Sequence, residues 1–141
     1  MKKGYLVVFV SFMAFILAAG LSLAGPSEER AGVKAAQDWL ALIDSGKYTE
    51  SWTGAAQLFK GAVTADQWAG QVKGVRGPLG KVLKRTVKSK NYSKTLPGAP
   101  DGQYVVIQFE TSFENKKNAV ETVTPMLDKD GKWRVSGYYI K

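Results

Sequence analysis

Apolar residues recur at helical spacing in residues 27–43. Between residues 27 and 43, Val33, Ala36 and Leu40 repeat every three or four positions, and polar residues fill the positions between them. This pattern predicts an amphipathic helix. Ser27 is expected to cap its first turn, because serine side chains accept hydrogen bonds from the free amides at a helix start.

Two further helical segments follow in the sequence. In "KYTESWTGAAQLFKGAV", residues 47–63, aromatic residues lie about one turn apart, but the internal glycines predict a short and broken helix. Thr64 and Gln67 have the spacing of a capping box, which predicts a sharp start for a third helix. Pro78 is expected to end that helix.

The period then changes from helical to alternating, as a half-buried strand requires. In "GQYVVIQFETSF" the two predicted faces are Val105, Ile107, Phe109 and Phe113 against Tyr104, Gln108, Glu110 and Ser112. Residues 82–90 form an earlier alternating segment, whose Leu83 and Val87 are expected to face the core. Residues 119–127 and 133–140 predict two more strands, with Gly137 as a bend in the last strand.

Short turns are expected between the later strands. Residues 115–118 and the sequence "DKDGK" supply the polar and glycine residues that hairpin turns favour. Three helices followed by a four-stranded antiparallel meander define an α+β domain. We expect the sheet to curl around the long first helix.

The amino terminus has the pattern of a secretory signal. Lys2 and Lys3 precede an uncharged run, and small residues stand before Gly25, where signal peptidase would cleave. We therefore predict a signal peptide over residues 1–24 and one domain over residues 25–141. The predicted location is periplasmic or secreted, and membrane contact is transient, through the signal peptide. The alternative is an inner-membrane anchor formed by an uncleaved leader, because an uncharged run of this length can span a bilayer.

Charge and missing residue types limit the functions available to the chain. The net charge is +8, and without Lys2 and Lys3 the basic count falls from 20 to 18 against 12 acids, which leaves +6. A basic exported protein favours anionic lipid, polysaccharide or acidic partners over nucleic acid. His and Cys are both absent, which excludes His- or Cys-based nucleophiles, structural zinc sites and His-ligated haem. No carboxylate pair suggests a general acid and base, so we predict no catalytic residues, no metal and no cofactor.

Several longer segments carry a family resemblance. They are "AAQDWLALIDSGKYTESW", "RGPLGKVLKR", "LPGAPDGQYVVIQFETSF" and "DKDGKWRVSGYYI". In these segments the chain resembles the exported bacterial family of domain of unknown function 4019, within the cystatin-like or nuclear-transport-factor-2-like superfamily. The resemblance implies a cone-shaped α+β fold whose curved sheet and helices can enclose a pocket. It implies no particular function, because the superfamily includes isomerases, dehydratases, carriers and inert modules.

The segment "GKVLKRTVKSK" is strongly basic, and no acid occurs between Asp66 and Asp101. Lys84, Lys88 and Lys90 are expected to share the solvent-facing side of the first strand, where they could contact an anionic envelope component or protein. The competing interpretation, which we favour, is that lysines on an edge strand discourage pairing between sheets.

Arg85 is expected to lie on the core-facing side of the same strand. A buried arginine must be paired or must line a polar pocket, because an unpaired buried charge is costly. Its candidate partners are Glu110, Glu114 and Glu121, and a structural ion pair is favoured over a ligand contact. The residues that could line a ligand pocket between helices and sheet are Trp52, Trp68, Arg76, Arg85 and Arg134.

Three functional hypotheses follow from these observations. The first is a non-catalytic exported binding or accessory module that could hold a small ligand in the helix-sheet pocket. The second is a surface interaction module that uses the basic strand. The third and weakest is a carboxylate-dependent isomerase or dehydratase. A monomer or a homodimer is compatible with each hypothesis.

Overall fold

The structure is a computed structural model, and it describes residues 25–141. The predicted signal peptide, residues 1–24, lies outside the described residues. The elements in chain order are α1 (Pro26–Asp44), α2 (Tyr48–Thr53), α3 (Gln57–Ala62), α4 (Ala65–Leu79), β1 (Val82–Ser93), β2 (Tyr104–Phe113), β3 (Lys116–Leu127) and β4 (Trp133–Ile140). None of the helices in this part of the chain combines the length and the apolar character needed to cross a membrane. The α+β class predicted from the sequence is confirmed.

The start of α4 agrees with the sequence prediction, whereas the start of α1 does not. The capping box is present: the Gln67 amide donates to Thr64 Oγ1 at 3.2 Å, and the Thr64 amide donates to Gln67 Oε1 at 3.0 Å. The predicted Ser27 cap is wrong, because Gly25 is the N-cap of α1 and no side chain caps it. The second helical segment is broken as expected, into α2 and α3.

The predicted end of the third helical segment is also wrong, because α4 continues through Pro78 to Leu79. Pro78 lacks the amide that would donate to the preceding turn, and the helix extends only one residue beyond it. Gly80 ends the helix instead, with a φ of 81° that favours glycine.

The four strands form one antiparallel sheet in the order β1-β2-β3-β4, which makes β1 and β4 the edge strands. The hairpin between β2 and β3 turns at Glu114 and Asn115, so residues 116–118 belong to β3 and not to the predicted turn. The Asn115 amide donates to Leu79 O at 2.9 Å, which fixes the turn against the end of α4. Near Gly137, which pairs with Thr124, β3 and β4 shift register, so the predicted irregularity in the last strand is confirmed.

Strand β1 departs from regular alternation at two places. Its register against β2 shifts between Val82 and Lys84 and again between Val87 and Ser89. A bulge inserts a residue and so changes the face on which the following side chains lie. The expectation that Leu83 and Val87 are core residues is wrong, because they are 56% and 40% exposed. Leu83 lies at the first shift. Val87 pairs with Phe109 of the core-facing set, and it is exposed because β1 is an edge strand.

The main core lies between the helices and one face of the sheet. Helix α1 contacts all four strands, and the core residues of β2 are those predicted from alternation, Val105, Ile107, Phe109 and Phe113. The aromatic rings of Trp39, Phe59, Trp68 and Tyr138 pack together between the helices and β4, and the closest ring pair is Phe59 and Trp68 at 4.9 Å. These rings fill the centre of the domain.

A smaller apolar cluster covers part of the opposite face of the sheet. Leu96, in the loop before β2, packs against Tyr104 and Val106, and Tyr104 donates to Pro100 O at 2.6 Å. Tyr104 lies on the face opposite the helices, as the alternation predicts. It is nevertheless fully buried, because the loop folds over it.

Candidate functional site

An inward-facing arginine forms the middle of the candidate site. Arg85 pairs in register with Thr111 of β2, whose side chain is buried on the helix side of the sheet. Its Nε donates to Glu121 Oε1 at 2.7 Å, and its Nη2 donates to Glu121 Oε2 at 3.2 Å. The inward orientation of Arg85 and its pairing with Glu121, one of the three predicted partners, are therefore confirmed.

Glu121 is a fully buried carboxylate on β3. Besides the Arg85 guanidinium, the Thr111 hydroxyl donates to its Oε1 at 2.6 Å, and the Tyr138 hydroxyl donates to its Oε2. Both carboxylate oxygens thus accept hydrogen bonds from two donors each, as a buried charge requires. This arrangement matches a structural role for Glu121.

Asp44, the last residue of α1, joins a second arginine to this group. Arg85 binds the Asp44 carboxylate with both terminal nitrogens, at 2.8 Å for Nη1 to Oδ2 and 3.0 Å for Nη2 to Oδ1. Arg76 of α4 approaches the same carboxylate, with its Nη1 at 3.0 Å from Oδ1. We call Asp44, Arg76, Arg85 and Glu121, with Thr111 and Tyr138, the buried ion-pair centre.

Arg76 is held differently from Arg85. Its side chain is only 4% exposed, and its guanidinium stacks on the Phe113 ring with Cζ at 4.8 Å from the ring centroid. Within the described part of the chain, neither its Nε nor its Nη1 has an aligned hydrogen-bond acceptor, although Nη1 is within ion-pair distance of Asp44. Arg76 is therefore charge-compensated but not fully hydrogen-bonded.

The charges of the centre balance, because two carboxylates face two guanidiniums. Burial by itself lowers the pKa of Arg85, but hydrogen bonds and negative charge from Asp44 and Glu121 outweigh it and raise the pKa above its ordinary value. Burial, followed by the negative charge of Glu121, raises the pKa of Tyr138 well above its ordinary value. Arg85 therefore stays cationic and Tyr138 stays neutral near neutral pH.

The other residues predicted to line a pocket are not part of this centre. Trp68 is fully buried in the aromatic core, where its Nε1 donates to Ser51 Oγ at 2.8 Å. Trp52 is half-buried beside α3, and its Nε1 donates to Val63 O at 2.7 Å. Arg134 forms ion pairs with Asp128 and Asp130 of its own hairpin, and the hydrogen bond to Arg134 lowers the pKa of Asp130 to about 2.

The predicted row of lysines on β1 is not a row on one face. Lys84 pairs with Ser112, whereas Lys90 pairs with Ile107 of the core-facing set. The backbone therefore directs the two lysine side chains to opposite faces of the sheet. Lys88 lies at the second bulge, between Val87 and Ser89. The bulge changes the alternation that had placed the lysines together. All three side chains are nevertheless exposed along the edge strand.

Sequence reasoning missed Asp44 as a partner and did not place Arg76 beside Arg85. Asp44 carried one signal, since a carboxylate at a helix C-terminus is unfavourable without a cation nearby and α1 has no basic residue in its last turn. Arg76 carried another, because it lies four residues after Val72 and eight after Trp68, on the buried face of α4.

Within residues 25–141, no group of three or more Asp, Glu, His or Cys could hold a metal ion.

In residues 25–141 the fold and the site define an α+β protein with an antiparallel sheet and a buried ion-pair centre. A family model described as protein of unknown function (DUF4019) matches residues 35–138, which is most of the chain. The chain therefore belongs to the DUF4019 family. A search of curated proteins found no significant match, and a search of solved structures found none either.

Proposed function

We propose that this protein is a non-catalytic exported module that binds an acidic segment of a partner protein along β1. The single observation that carries the proposal is the composition of this edge strand. Lys84, Lys88 and Lys90 are exposed on it beside the exposed apolar residues Leu83 and Val87.

The charges on β1 are available to a partner. In the part of the chain that the structure describes, no carboxylate lies within ion-pair distance of Lys84, Lys88 or Lys90. Their side chains are exposed, so an acidic partner can approach them without first displacing an internal anion. Opposite charge on the partner would steer the encounter and favour binding at low ionic strength.

The edge position supplies a second kind of contact. Among residues 25–141, strand β1 pairs only with β2, so its other side presents backbone groups that an extended segment can bind. The bulges at Leu83 and Lys88 interrupt this edge and limit regular pairing to short stretches. These features suit a short acidic segment that also contacts Leu83 and Val87.

A carrier function is less well supported by the same structure. Four aromatic rings occupy the space between the helices and β4, and Trp68, one of the proposed lining residues, is fully buried by them.

Catalysis is the weakest candidate. The one fully buried carboxylate found in residues 25–141, Glu121, already accepts four hydrogen bonds.

The wider placement of the protein belongs to the same proposal. A single antiparallel sheet with α1 across all four strands supports a cystatin-like or nuclear-transport-factor-2-like fold. The leader pattern of residues 1–24 supports export from the cytoplasm, to the periplasm or beyond.

Charge reversal on β1 tests the proposal. The triple variant Lys84→Glu, Lys88→Glu, Lys90→Glu should bind poly-L-glutamate at least about tenfold more weakly than the wild type at low ionic strength, because three exposed charge contacts are each worth a few tenths to 1 kcal/mol. Wild-type affinity should fall as salt rises. Isothermal titration calorimetry measures both effects.

A matched control separates local contacts from net charge. Lys73→Glu, Lys129→Glu, Lys132→Glu changes the net charge equally at exposed positions outside β1, and it should retain most of the affinity. Equal losses in the two triple variants, or salt-independent binding, would refute a site on β1. Binding to anionic phospholipid vesicles without binding to poly-L-glutamate would replace the protein partner with a membrane.

A further inference from the structure

The arginines of the buried ion-pair centre have the geometry of a carboxylate-binding site that is occupied by the protein's own Asp44. Arg85 holds the Asp44 carboxylate with two nearly equal hydrogen bonds of 2.8 and 3.0 Å. This paired geometry is the one by which arginine recognises a planar carboxylate. We propose that a small carboxylate ligand binds to Arg76 and Arg85 in the place of the Asp44 side chain.

Arg76 gives independent support for a ligand at this place. Its side chain is 96% buried, since only 4% is exposed, and its Nε and Nη1 have no aligned acceptor in the described chain. Buried donors are almost always satisfied in folded proteins, and an unsatisfied donor points to a bound water or ion. Asp44 compensates the charge of Arg76 without an aligned hydrogen bond to Nη1, whereas a ligand carboxylate that is free to rotate could align with Nη1.

The site can be reached from solvent on the Asp44 side. The Asp44 side chain is 29% exposed and the Arg85 side chain is 15% exposed, whereas Glu121 behind them is fully buried. A ligand therefore needs to displace only Asp44, and Glu121 continues to hold Arg85 in place. The site takes one carboxylate group, because the two guanidiniums converge on the single carboxylate of Asp44.

The test uses the variant Asp44→Asn, which removes the internal carboxylate. We expect it to bind acetate at least about tenfold more tightly than the wild type, because the internal competitor is gone. The readout is the ¹⁵N resonance of each arginine Nε–H during titration with sodium acetate against sodium chloride at constant ionic strength. The Arg76 and Arg85 signals should move together and saturate, and the Arg134 signal should not move.

The control variant is Asp130→Asn, which removes a carboxylate from the exposed Arg134 and should gain no acetate affinity. The proposal fails if Asp44→Asn shows no saturable change, or if chloride causes the same change. Saturable binding of inorganic phosphate without acetate would assign the site to another anion and would overturn the carboxylate assignment.

A second readout applies even if Asp44→Asn is too unstable for titration. A ligand that binds only the folded state raises its stability by mass action. Acetate should therefore raise the melting temperature of Asp44→Asn, or restore its folding, more than sodium chloride does. Equal effects of the two salts would contradict the proposal. Neither outcome bears on the lysines of β1, so this test is separate from that of the proposed function.

Discussion

At the scale of single residues, Glu121 is the buried carboxylate that pairs with Arg85 of β1. A buried ion pair is stable only when its hydrogen-bonding groups are satisfied. Besides Arg85, the hydroxyls of Thr111 and Tyr138 donate to the Glu121 carboxylate. These two residues lie on β2 and β4, the strands that flank β3. The carboxylate therefore fixes side chains from all four strands at one point.

Removing the charge of Glu121 should destabilise the protein strongly. Glu121→Gln leaves Arg85 with Asp44 alone, and breaking a buried pair costs about 3–5 kcal/mol. Urea unfolding monitored by circular dichroism measures the change. Glu110→Gln, at an exposed position of β2, is the matched control and should change the free energy of unfolding by about 0.5 kcal/mol or less. Similar values for both variants would show that the buried pair is dispensable.

At the scale of elements, α1 lies so close to β2 that one of its residues must be glycine. A Cβ at Gly32 would stand 2.7 Å from Val105 Cβ and 2.8 Å from its Cγ2. A valine Cβ is tied directly to the backbone, so it cannot move away without moving the strand. The contact between helix and sheet therefore depends on the missing side chain of Gly32.

Alanine at two helical glycines should have opposite effects. Gly32→Ala gains helix propensity but overpacks the contact with Val105, and we expect a net loss of about 1–2 kcal/mol. Gly70→Ala in α4 meets nothing within 4 Å and should stabilise the protein by about 0.5–1 kcal/mol. Chemical denaturation of both variants measures the difference. A stabilising Gly32→Ala would mean that α1 sits further from the sheet.

At the scale of the whole molecule, one core holds both the aromatic rings and the buried ion-pair centre. Tyr138 belongs to both, because its ring packs 5.3 Å from that of Trp39 and its hydroxyl donates to Glu121. Burial first, and then the charge of Glu121, raises its pKa well above 10.0 in the folded state. Ionisation of this residue is therefore linked to unfolding of the domain.

The linkage predicts that stability falls at alkaline pH. The unfolded chain releases the Tyr138 proton near pH 10 while the folded protein retains it, so the contribution is complete below pH 10 and is lost as pH rises further. One such proton changes the free energy of unfolding by about 1.4 kcal/mol per pH unit. Denaturation at a series of pH values should show a smaller slope for Tyr138→Phe.

The exposed neighbour Tyr139 provides the control for this measurement. Tyr139→Phe should keep the alkaline slope of the wild type, because its hydroxyl is not enclosed by the core. All other ionisable groups are common to the three proteins, so their effect on the slope cancels in the comparison. An unchanged slope in Tyr138→Phe would show that the alkaline loss of stability has another origin.

The sequence by itself determined the local elements and part of the site. Helical and alternating periods, and the Thr64 capping box, depend on residues close together in the chain, so they predicted the order of helices and strands. The same alternation predicted that Arg85 points inward, and the need to pair a buried charge gave Glu121 among three candidates. The lysine content of β1 was also visible in the sequence.

Only the tertiary structure decided which distant residues meet and on which face. The bulges in β1 exposed Leu83 and separated Lys84 from Lys90, because a bulge is fixed by the pairing of two strands and not by one strand's pattern. Asp44 contacts Arg85 because the end of α1 lies beside β1. Such contacts depend on packing between elements far apart in the chain. Local patterns indicated that Asp44 needs a nearby cation, but they did not identify Arg85 as that cation.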